Sequence, residues 1–415
     1  GFSAQPFIAE MYIYQKSCPI HMFKKRGVVR EQKGFFGRHK LAIAVTTLMG
    51  TIIGAGILGL PYVIAQTGFL YGLLLLIVLG VAFLFINLFM GEIVLRTKEQ
   101  HQLTGYAEKY LGKWGKVFML LTLIIAVYGA LTAYLIGEGA TLRAIFDWGS
   151  PQLYTLLFFA VGFFIVYRGI KATGKAELFL ISLLVLVVIL IGLFSFDKIN
   201  PQNLLTRDIS LLFVPYGVIL FAYLGFASIP ELQEELGKDK KKLKKAIVIG
   251  SILPILIYIL FTLVVVGIVG LDNFNLLQPN ERIATIALSI YSIPWLGLLA
   301  NFLAVLSMFT SFLALSIILL DTYEFDLKFP KWTSLLLTFA VPLALSFSNL
   351  TSFISILGFS GAVTGGFNII LLVLIYWKAK KNGNRVPEYS LGKNILLGLL
   401  LIAMAVLGII YQFVF

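Results

Sequence analysis

Long apolar runs separated by short polar segments make up most of the chain from residue 41 onwards. Eleven runs can be counted, and each approaches the roughly 20 residues with which an α-helix crosses a bilayer. In chain order, as spans 1 to 11, they cover residues 41–65, 69–96, 116–142, 153–168, 176–196, 210–233, 245–270, 293–320, 332–348, 351–377 and 394–414. The pattern predicts an all-α polytopic membrane protein with eleven transmembrane helices.

The composition agrees with this class and argues against others. Hydrophobic residues make up 59% of the chain and charged residues 13%, whereas soluble domains contain roughly 25% charged residues. The net charge of +13 would suggest a nucleic-acid partner in a soluble protein, but here the basic residues lie between apolar runs, so no such partner is expected. The single cysteine, Cys18, and histidines placed only outside the apolar runs argue against a resident cofactor or transition metal.

Lysine and arginine positions set the orientation, because cytoplasmic loops are enriched in both. With the N-terminus inside, all but four of the 33 basic residues are cytoplasmic, the exceptions being Arg143, Lys198, Arg207 and Arg282. We therefore expect an integral protein of the cytoplasmic (plasma) membrane with its N-terminus inside and its C-terminus outside. Residues 1–40 should form a disordered cytoplasmic segment, and residues 41–415 a single transmembrane domain.

Span 1 has an unusual density of residues that interrupt helices. Its centre reads Gly50-Thr-Ile-Ile-Gly-Ala-Gly-Ile-Leu-Gly-Leu-Pro61, with four glycines. Each glycine costs about 1 kcal/mol relative to alanine inside a helix, so the run predicts a break. A break within a membrane frees backbone N–H and C=O groups, which is tolerated only against protein or a water-filled cavity. Such groups can bind a small ion or a zwitterion, which favours a transporter.

Span 6 repeats this feature with the run Phe221-Ala-Tyr-Leu-Gly-Phe-Ala-Ser-Ile-Pro-Glu231. Two interrupted helices five spans apart indicate an inverted-repeat transporter. The repeats would cover about residues 41–196 and 210–377, and the helix at 394–414 would be an addition. The alternative is that the small residues serve only close helix–helix packing.

These motifs resemble the amino acid/auxin permease family of the amino acid–polyamine–organocation superfamily. The resemblance includes its bacterial aromatic amino acid permeases and sodium-coupled neutral amino acid transporters. It rests on Gly50–Pro61 and on Phe221–Gly225 followed by Ile229–Glu231. It also rests on Lys245–Gly250 through Pro254 and Tyr258 at the start of span 7, and on Gly169–Leu178 between spans 4 and 5. It implies a five-plus-five inverted repeat with discontinuous spans 1 and 6, and amino acid import driven by an ion gradient.

The two breaks supply a partner for each end of an α-amino acid. The half-helix beginning near Gly54, Ala55 and Gly56 offers free N–H groups and a positive dipole end, which suit a carboxylate. The resemblance implies that the ammonium group meets carbonyls of Ile52, Phe221 and Leu224, beside Gly225. It also implies that the Phe221 ring closes over the substrate as a gate, although a core-facing ring is an equally acceptable interpretation.

Ser307, Thr310 and Ser311 in span 8 share one helical face, and their hydroxyl oxygens are the hard ligands that Na⁺ requires. The resemblance adds carbonyls of Gly50 and Ile53 to this sodium site. Alternatively, the hydroxyls bond to carbonyls of their own helix. A proton is the other candidate coupling ion, and Glu138 in span 3 could carry it, unless it pairs with Arg143.

The substrate is expected to be a neutral amino acid, aromatic ones included, because no charged residue lies beside either break. Tyr128, Tyr134 and Asn301 could line the pocket or serve packing alone. A membrane enzyme would require clusters such as HExxH, which this sequence lacks. A channel would not need two interrupted helices in inverted halves. A membrane amino acid sensor, using the same site without net transport, remains the alternative function.

Overall fold

The computed structural model describes residues 40–169, 174–205, 208–348 and 350–414, and every regular element in these ranges is helical. The predicted disorder of residues 1–40 therefore concerns a segment outside the described residues, apart from Lys40. The α-helices, α1 to α16 in chain order, are Lys40–Ile52, Gly56–Thr67, Phe69–Arg96, Leu103–Phe146, Pro151–Tyr167, Gly174–Phe194, Gln202–Leu205, Tyr216–Tyr223, Ile229–Leu236, Leu243–Leu276, Ala284–Tyr291, Pro294–Asp321, Lys331–Phe347, Phe353–Ser360, Gly366–Asn382 and Ile395–Val414.

Several of these helices can cross a bilayer by length and composition. Within the described ranges six helical stretches are long and apolar enough, and a seventh forms when α1 and α2 are counted as one bent span. The two shortest runs of the sequence became the 17-residue helices α5 and α13. The protein is thus an all-helical membrane protein, while the count of eleven spans and the inverted repeat remain predictions.

The predicted break in span 1 is present. Helix α1 ends at Ile52, helix α2 begins at Gly56, and the two axes differ in direction by 56°. No side chain caps the start of α2. The backbone groups freed by the glycine-rich sequence are therefore available at the centre of the span.

Span 6 is also interrupted as predicted. Helix α8 ends at Tyr223, and Leu224 and Gly225 leave the helical conformation, with ψ of 106° and φ of −144° respectively. A short 3₁₀ turn over Phe226–Ser228 follows, and Pro230 lies in the first turn of α9. Proline is tolerated there because the first N–H groups of a helix have no intrahelical partner.

Span 10 contains a third interruption, which the sequence analysis did not predict. A π-helical segment, Gly361–Gly365, joins α14 to α15. A methyl group at Gly361 would lie 2.7 Å from the backbone nitrogen of Phe221, and Gly217 lies against the backbone of Gly358. Glycine is required at positions 217 and 361 because the backbones of spans 6 and 10 touch there.

Helix α10, the body of span 7, packs extensively against α1, α2 and α3 and so supports the first break from one side. Helix α12, the body of span 8, packs chiefly against α4, α6 and α11. Helix α16 is peripheral, because 22% of its most apolar window is buried, compared with 50% or more in the other five long stretches. This position agrees with an added last helix.

A buried ion cluster ties the ends of α3 and α15 together. Glu92 is fully buried, and one of its carboxylate oxygens forms ion pairs with Arg96 at 2.8 Å and with Lys380 at 2.6 Å. Its other oxygen accepts hydrogen bonds from the Tyr376 hydroxyl and from the backbone N–H of Leu391. The cluster holds the connection to α16 against α3, which is a structural role.

Candidate substrate and ion site

The breaks in spans 1 and 6 lie against each other. A methyl group at Gly56 would fall 2.7 Å from Cα of Ala222, too close for any real side chain. A methyl group at Gly225 would overlap the side chain of Ile52. Each break therefore needs a glycine because the other break occupies the space that a side chain would fill.

Tyr258 of α10 joins the two breaks. Its hydroxyl lies 2.9 Å from the Ile52 carbonyl oxygen and 2.7 Å from the Ala222 carbonyl oxygen, and its side chain is fully buried. Because a phenol has one hydrogen, the two carbonyls share it. The sequence analysis did not assign Tyr258 to the site, although a tyrosine inside an apolar run must find a polar partner when buried.

The start of α2 retains free donors. Within the described part of the chain, the N–H groups of Ala55 and Gly56 donate no hydrogen bond, whereas the N–H of Gly54 donates to the Ile52 carbonyl at 3.1 Å. A methyl group at Gly54 would meet nothing within 4 Å. Two free amides at a helix N-terminus beside open space form an arrangement that can bind a carboxylate.

The predicted ammonium acceptors differ in availability. The Ile52 carbonyl already accepts from Tyr258 and Gly54, and the Phe221 carbonyl accepts from the Leu224 N–H at 3.2 Å. The Leu224 carbonyl has no donor among the described residues. Leu224 is therefore the acceptor in span 6 that is free for a ligand. The Phe221 side chain is half-buried, which is compatible with both interpretations of its ring.

The predicted sodium ligands fall in two groups. Ser307 and Ser311 are nearly buried on α12, and the Thr310 hydroxyl donates to the Ser307 carbonyl at 2.9 Å. This bond to the preceding turn is the predicted alternative, and it leaves the oxygen lone pairs of Thr310 free to bind a cation. The carbonyls of Gly50 and Ile53 accept no hydrogen bond from a described residue.

The structure does not bring these two groups into an extensive helix–helix contact. Helices α1 and α12 both pack against α6, but α12 makes its main contacts with α4, α6 and α11. The sodium site of Gly50, Ile53, Ser307, Thr310 and Ser311 thus remains a prediction.

A cavity of about 1000 Å³ is lined by residues of spans 1, 3, 6 and 10. None of the residues predicted to bind substrate lines it. Val218, Ile354 and Gly358 belong to its wall, and Val218 lies six residues before Leu224 at the break in span 6. A methyl group at Gly59 would lie 3.2 Å from Val218. A tightly packed layer between α2, α8 and α14 therefore separates the cavity from the paired breaks.

The cavity rim is polar and holds α2 to the segment before α11. Arg282 donates from Nη1 to the Tyr62 hydroxyl at 2.8 Å, and its guanidinium carbon lies 4.9 Å from the centre of that ring. Such a contact adds cation–π attraction to the hydrogen bond. Arg143 and Asp147, at the end of α4, both line the cavity and form an ion pair at 2.9 Å.

The alternative pairing of Glu138 with Arg143 is wrong. Arg143 pairs with Asp147, while Glu138 is fully buried and neither carboxylate oxygen has a hydrogen-bond partner among the described residues. Residues four apart share a helical face, whereas residues five apart do not. Arg143 therefore faces Asp147, four residues after it, and not Glu138, five residues before it.

Of the other polar candidates, Tyr128 bonds to Tyr323 and to the Leu337 carbonyl, which supports a packing role. The side chain of Asn301 is fully buried, and its amide nitrogen and oxygen lack partners among the residues described.

Residues 38–412 match the sequence profile of the tryptophan/tyrosine permease family. The chain belongs to this family. As a permease of this family it is a transport protein and not an enzyme, and the resemblance to amino acid permeases is confirmed. Tyrosine-specific transport system 1 of Haemophilus influenzae is 29% identical over 380 residues, which cover 87% of this chain and 92% of that protein.

Other relatives of this permease carry different names. Glutamine transporter 2 of Aliivibrio fischeri is 24% identical over 88% of this chain and 98% of that protein. The low affinity tryptophan permease of Proteus vulgaris is 23% identical over 88% and 93%. The crystal structure of MhsT in complex with L-phenylalanine superimposes with a TM-score of 0.65 at 17% identity, covering 89% of this chain and 97% of that one. The permease therefore shares the MhsT fold.

Proposed function

We propose that this permease is a secondary active transporter of the plasma membrane that imports a neutral amino acid, aromatic ones included, by alternating access. The observation that carries the proposal is the contact between the two helix breaks, at which free amides and a free carbonyl lie in the same region. The membrane enzyme is excluded by the family. A sensor that binds amino acid at the same place without net transport is the competing function.

In this proposal the substrate carboxylate binds the N–H groups of Ala55 and Gly56, next to the open space at Gly54. The helix dipole of α2 adds favourable charge at this end without an arginine. The ammonium group binds the free Leu224 carbonyl, while Ile52 contributes when Tyr258 turns to Ala222. Both ends of an α-amino acid are then bound by backbone groups that any side chain leaves accessible.

Selectivity for a neutral side chain follows from the surroundings of the site. No charged residue occurs from Gly50 to Pro61 or from Tyr216 to Pro230. A charged substrate side chain would therefore be desolvated without a compensating partner, which costs several kcal/mol. The names of the relatives, which specify tyrosine, tryptophan and glutamine, are consistent with neutral substrates.

A cation gradient supplies the driving force in this proposal. Sodium is the first candidate, bound by hydroxyls of Ser307, Thr310 and Ser311 with carbonyls of Gly50 and Ile53. Formation of that site requires α1 and α12 to approach each other beside α6. Sodium binding would then favour one conformation of the transporter over the other, which is how an ion gradient drives transport. A proton is the other candidate, and it can be coupled in place of sodium or together with it.

Alternating access requires the layer around Gly59, Val218 and Leu357 to separate. The cavity would then extend inward to the paired breaks, and the contact between Arg282 and Tyr62 would open with it. The two halves of span 1 can move separately because no continuous helical hydrogen bonding connects Ile52 to Gly56; only isolated turn bonds lie between them.

A thermal-shift screen of the twenty amino acids, with and without Na⁺ at two pH values, tests substrate and ion together. The proposal predicts that neutral amino acids raise the melting temperature and that a coupling cation enlarges the shift, because a ligand bound only by the folded state stabilises it. Stabilisation by lysine or glutamate alone would contradict the neutral site.

A further inference from the structure

Glu138 lies in the interior of the longest helix, at a place where neighbouring helices close in on both sides. A methyl group at Gly137 would lie 2.8 Å from the ring of Phe353 and 3.1 Å from the sulfur of Met308. On the other side, a methyl group at Gly139 would lie 2.7 Å from the carbonyl oxygen of Pro151. The two glycines allow α5, α12 and α14 to approach α4 closely, so the carboxyl group between them is enclosed by protein.

No charged group of a described residue compensates this carboxyl group. Arg143, the nearest cation on α4, is paired with Asp147. The elements packed on α4 are α5, α12, α13, α14, α15, the π segment after α14 and the 3₁₀ turn before α11. The titratable residues of α5 are Tyr154, which stacks on Phe146, and Tyr167, whose ring lies under Lys331. Helix α14 and the π segment contain no titratable residue. The remaining titratable groups lie toward element ends: Glu281, Asp321, Lys331, Tyr376, Lys378, Lys380 and Lys381.

Among the residues that the structure describes, an ionised carboxylate in this position would find neither a counter-ion nor a hydrogen-bond donor. Its burial would cost several kcal/mol or more, whereas the neutral acid costs far less. This closed packing therefore favours the neutral acid form of Glu138 over the carboxylate. A glutamate serving only packing gains nothing over an apolar residue, and an ionisable residue inside a membrane protein is by default functional.

The surroundings also provide a route by which this proton can exchange. The cavity reaches Ala140, two residues along α4, without reaching Glu138. On the packed helix α12, Asn301 is a second fully buried polar side chain with no partner in the described structure. A buried polar group without a protein partner can be satisfied by a water molecule that gains access to it. Movement of α4 relative to α12 would hydrate Glu138 and permit its ionisation.

We propose that Glu138 is a proton-binding site that is loaded and unloaded once in each transport cycle, so that a proton accompanies the imported amino acid. The inference rests on the proposed transport function. Water at the outer face gives a proton to the Glu138 carboxylate when the protein is open outward. The neutral acid crosses in the closed state, and the proton returns to water at the inner face.

Purified protein in proteoliposomes with a trapped pH dye tests this directly. When amino acid is added outside wild-type vesicles in a medium more acidic than their interior, the interior should acidify and the amino acid should accumulate inside. Glu138→Gln, which mimics the neutral acid, should keep amino acid counterflow but lose both acidification and accumulation driven by the pH gradient. Glu108→Gln, which removes a half-exposed carboxylate at the other end of the same helix, should behave as wild type.

Acidification by Glu138→Gln at the wild-type rate would overturn the inference, as would wild-type transport with no accompanying acidification. If the glutamine variant does not fold, Glu138→Asp decides, because it keeps a carboxyl group with its position shifted. A changed pH dependence of its uptake supports the proton site, and an unchanged one contradicts it. If the wild-type protein shows no counterflow with any amino acid, the proposed transport function itself is refuted.

Discussion

The hydroxyl of Tyr258 lies 2.9 Å from the carbonyl oxygen of Ile52, the last residue of α1. The same hydroxyl reaches span 6 through Ala222, so one side chain of span 7 holds the ends of two interrupted helices. This contact determines how many backbone carbonyls at the breaks remain free to accept a hydrogen bond from a substrate. It also makes Tyr258 a residue through which binding in one break can affect the other.

Replacing Tyr258 with phenylalanine should destabilise the protein and alter substrate affinity together. Two buried carbonyls would lose the hydroxyl donor that they share, which costs about 1–3 kcal/mol. The Ile52 carbonyl would at the same time become more available to an ammonium group. Thermal unfolding and amino acid titration of the same sample measure both effects.

Tyr223→Phe is the matched control for this variant. The Tyr223 hydroxyl donates to the Leu76 carbonyl at 3.2 Å, outside both breaks, and its ring lies beside that of Tyr258. It should lower stability without changing affinity. Equal effects of the two variants on affinity would contradict a special role for Tyr258.

Gly56→Leu should abolish amino acid binding while the protein still inserts, and Gly56→Ala should already weaken it. Even one methyl group would approach the backbone of Ala222 within 2.7 Å, which forces the two breaks apart. Binding can be followed by the thermal shift with substrate. Gly358→Ala serves as control, because a methyl group there would meet only Val218, at 3.6 Å. Normal uptake by Gly56→Leu would refute the carboxylate site.

Thr310→Ala should sharply weaken the sodium dependence of uptake, since it removes one of three hydroxyl ligands. Thr338→Ala is a control of the same geometry, because Thr338 also donates to a carbonyl of its own preceding turn, at 2.8 Å. That variant should retain normal sodium dependence. Sodium stimulation that is the same in both variants would show that the hydroxyl of Thr310 serves only its own helix.

Glu92→Gln should lower thermal stability markedly. It would leave the largely buried charges of Arg96 and Lys380 without their carboxylate, and loss of one partner of a buried pair costs about 3–5 kcal/mol. Glu231→Gln changes an exposed carboxylate and should have little effect. A melting temperature of Glu92→Gln equal to that of wild type would mean that the cluster does not hold α3 and α15 together.

The sequence predicted both interruptions because glycine and proline act locally, through backbone conformation and missing donors. It could not show that Gly56 and Gly225 face the opposite break, since such contacts depend on how distant segments pack. For the same reason the link through Tyr258 and the π segment at Gly361–Gly365 were missed. The alternative pairing of Glu138 with Arg143 was wrong because it used distance along the chain without the helical phase that separates positions 138 and 143.

Counterflow in proteoliposomes tests the central claim most directly. Vesicles preloaded with an unlabelled neutral amino acid that stabilises the protein should accumulate the same labelled compound through wild-type protein, and should fail to do so with Gly56→Leu. Binding by wild type without any exchange would identify a sensor and contradict transport through the paired breaks.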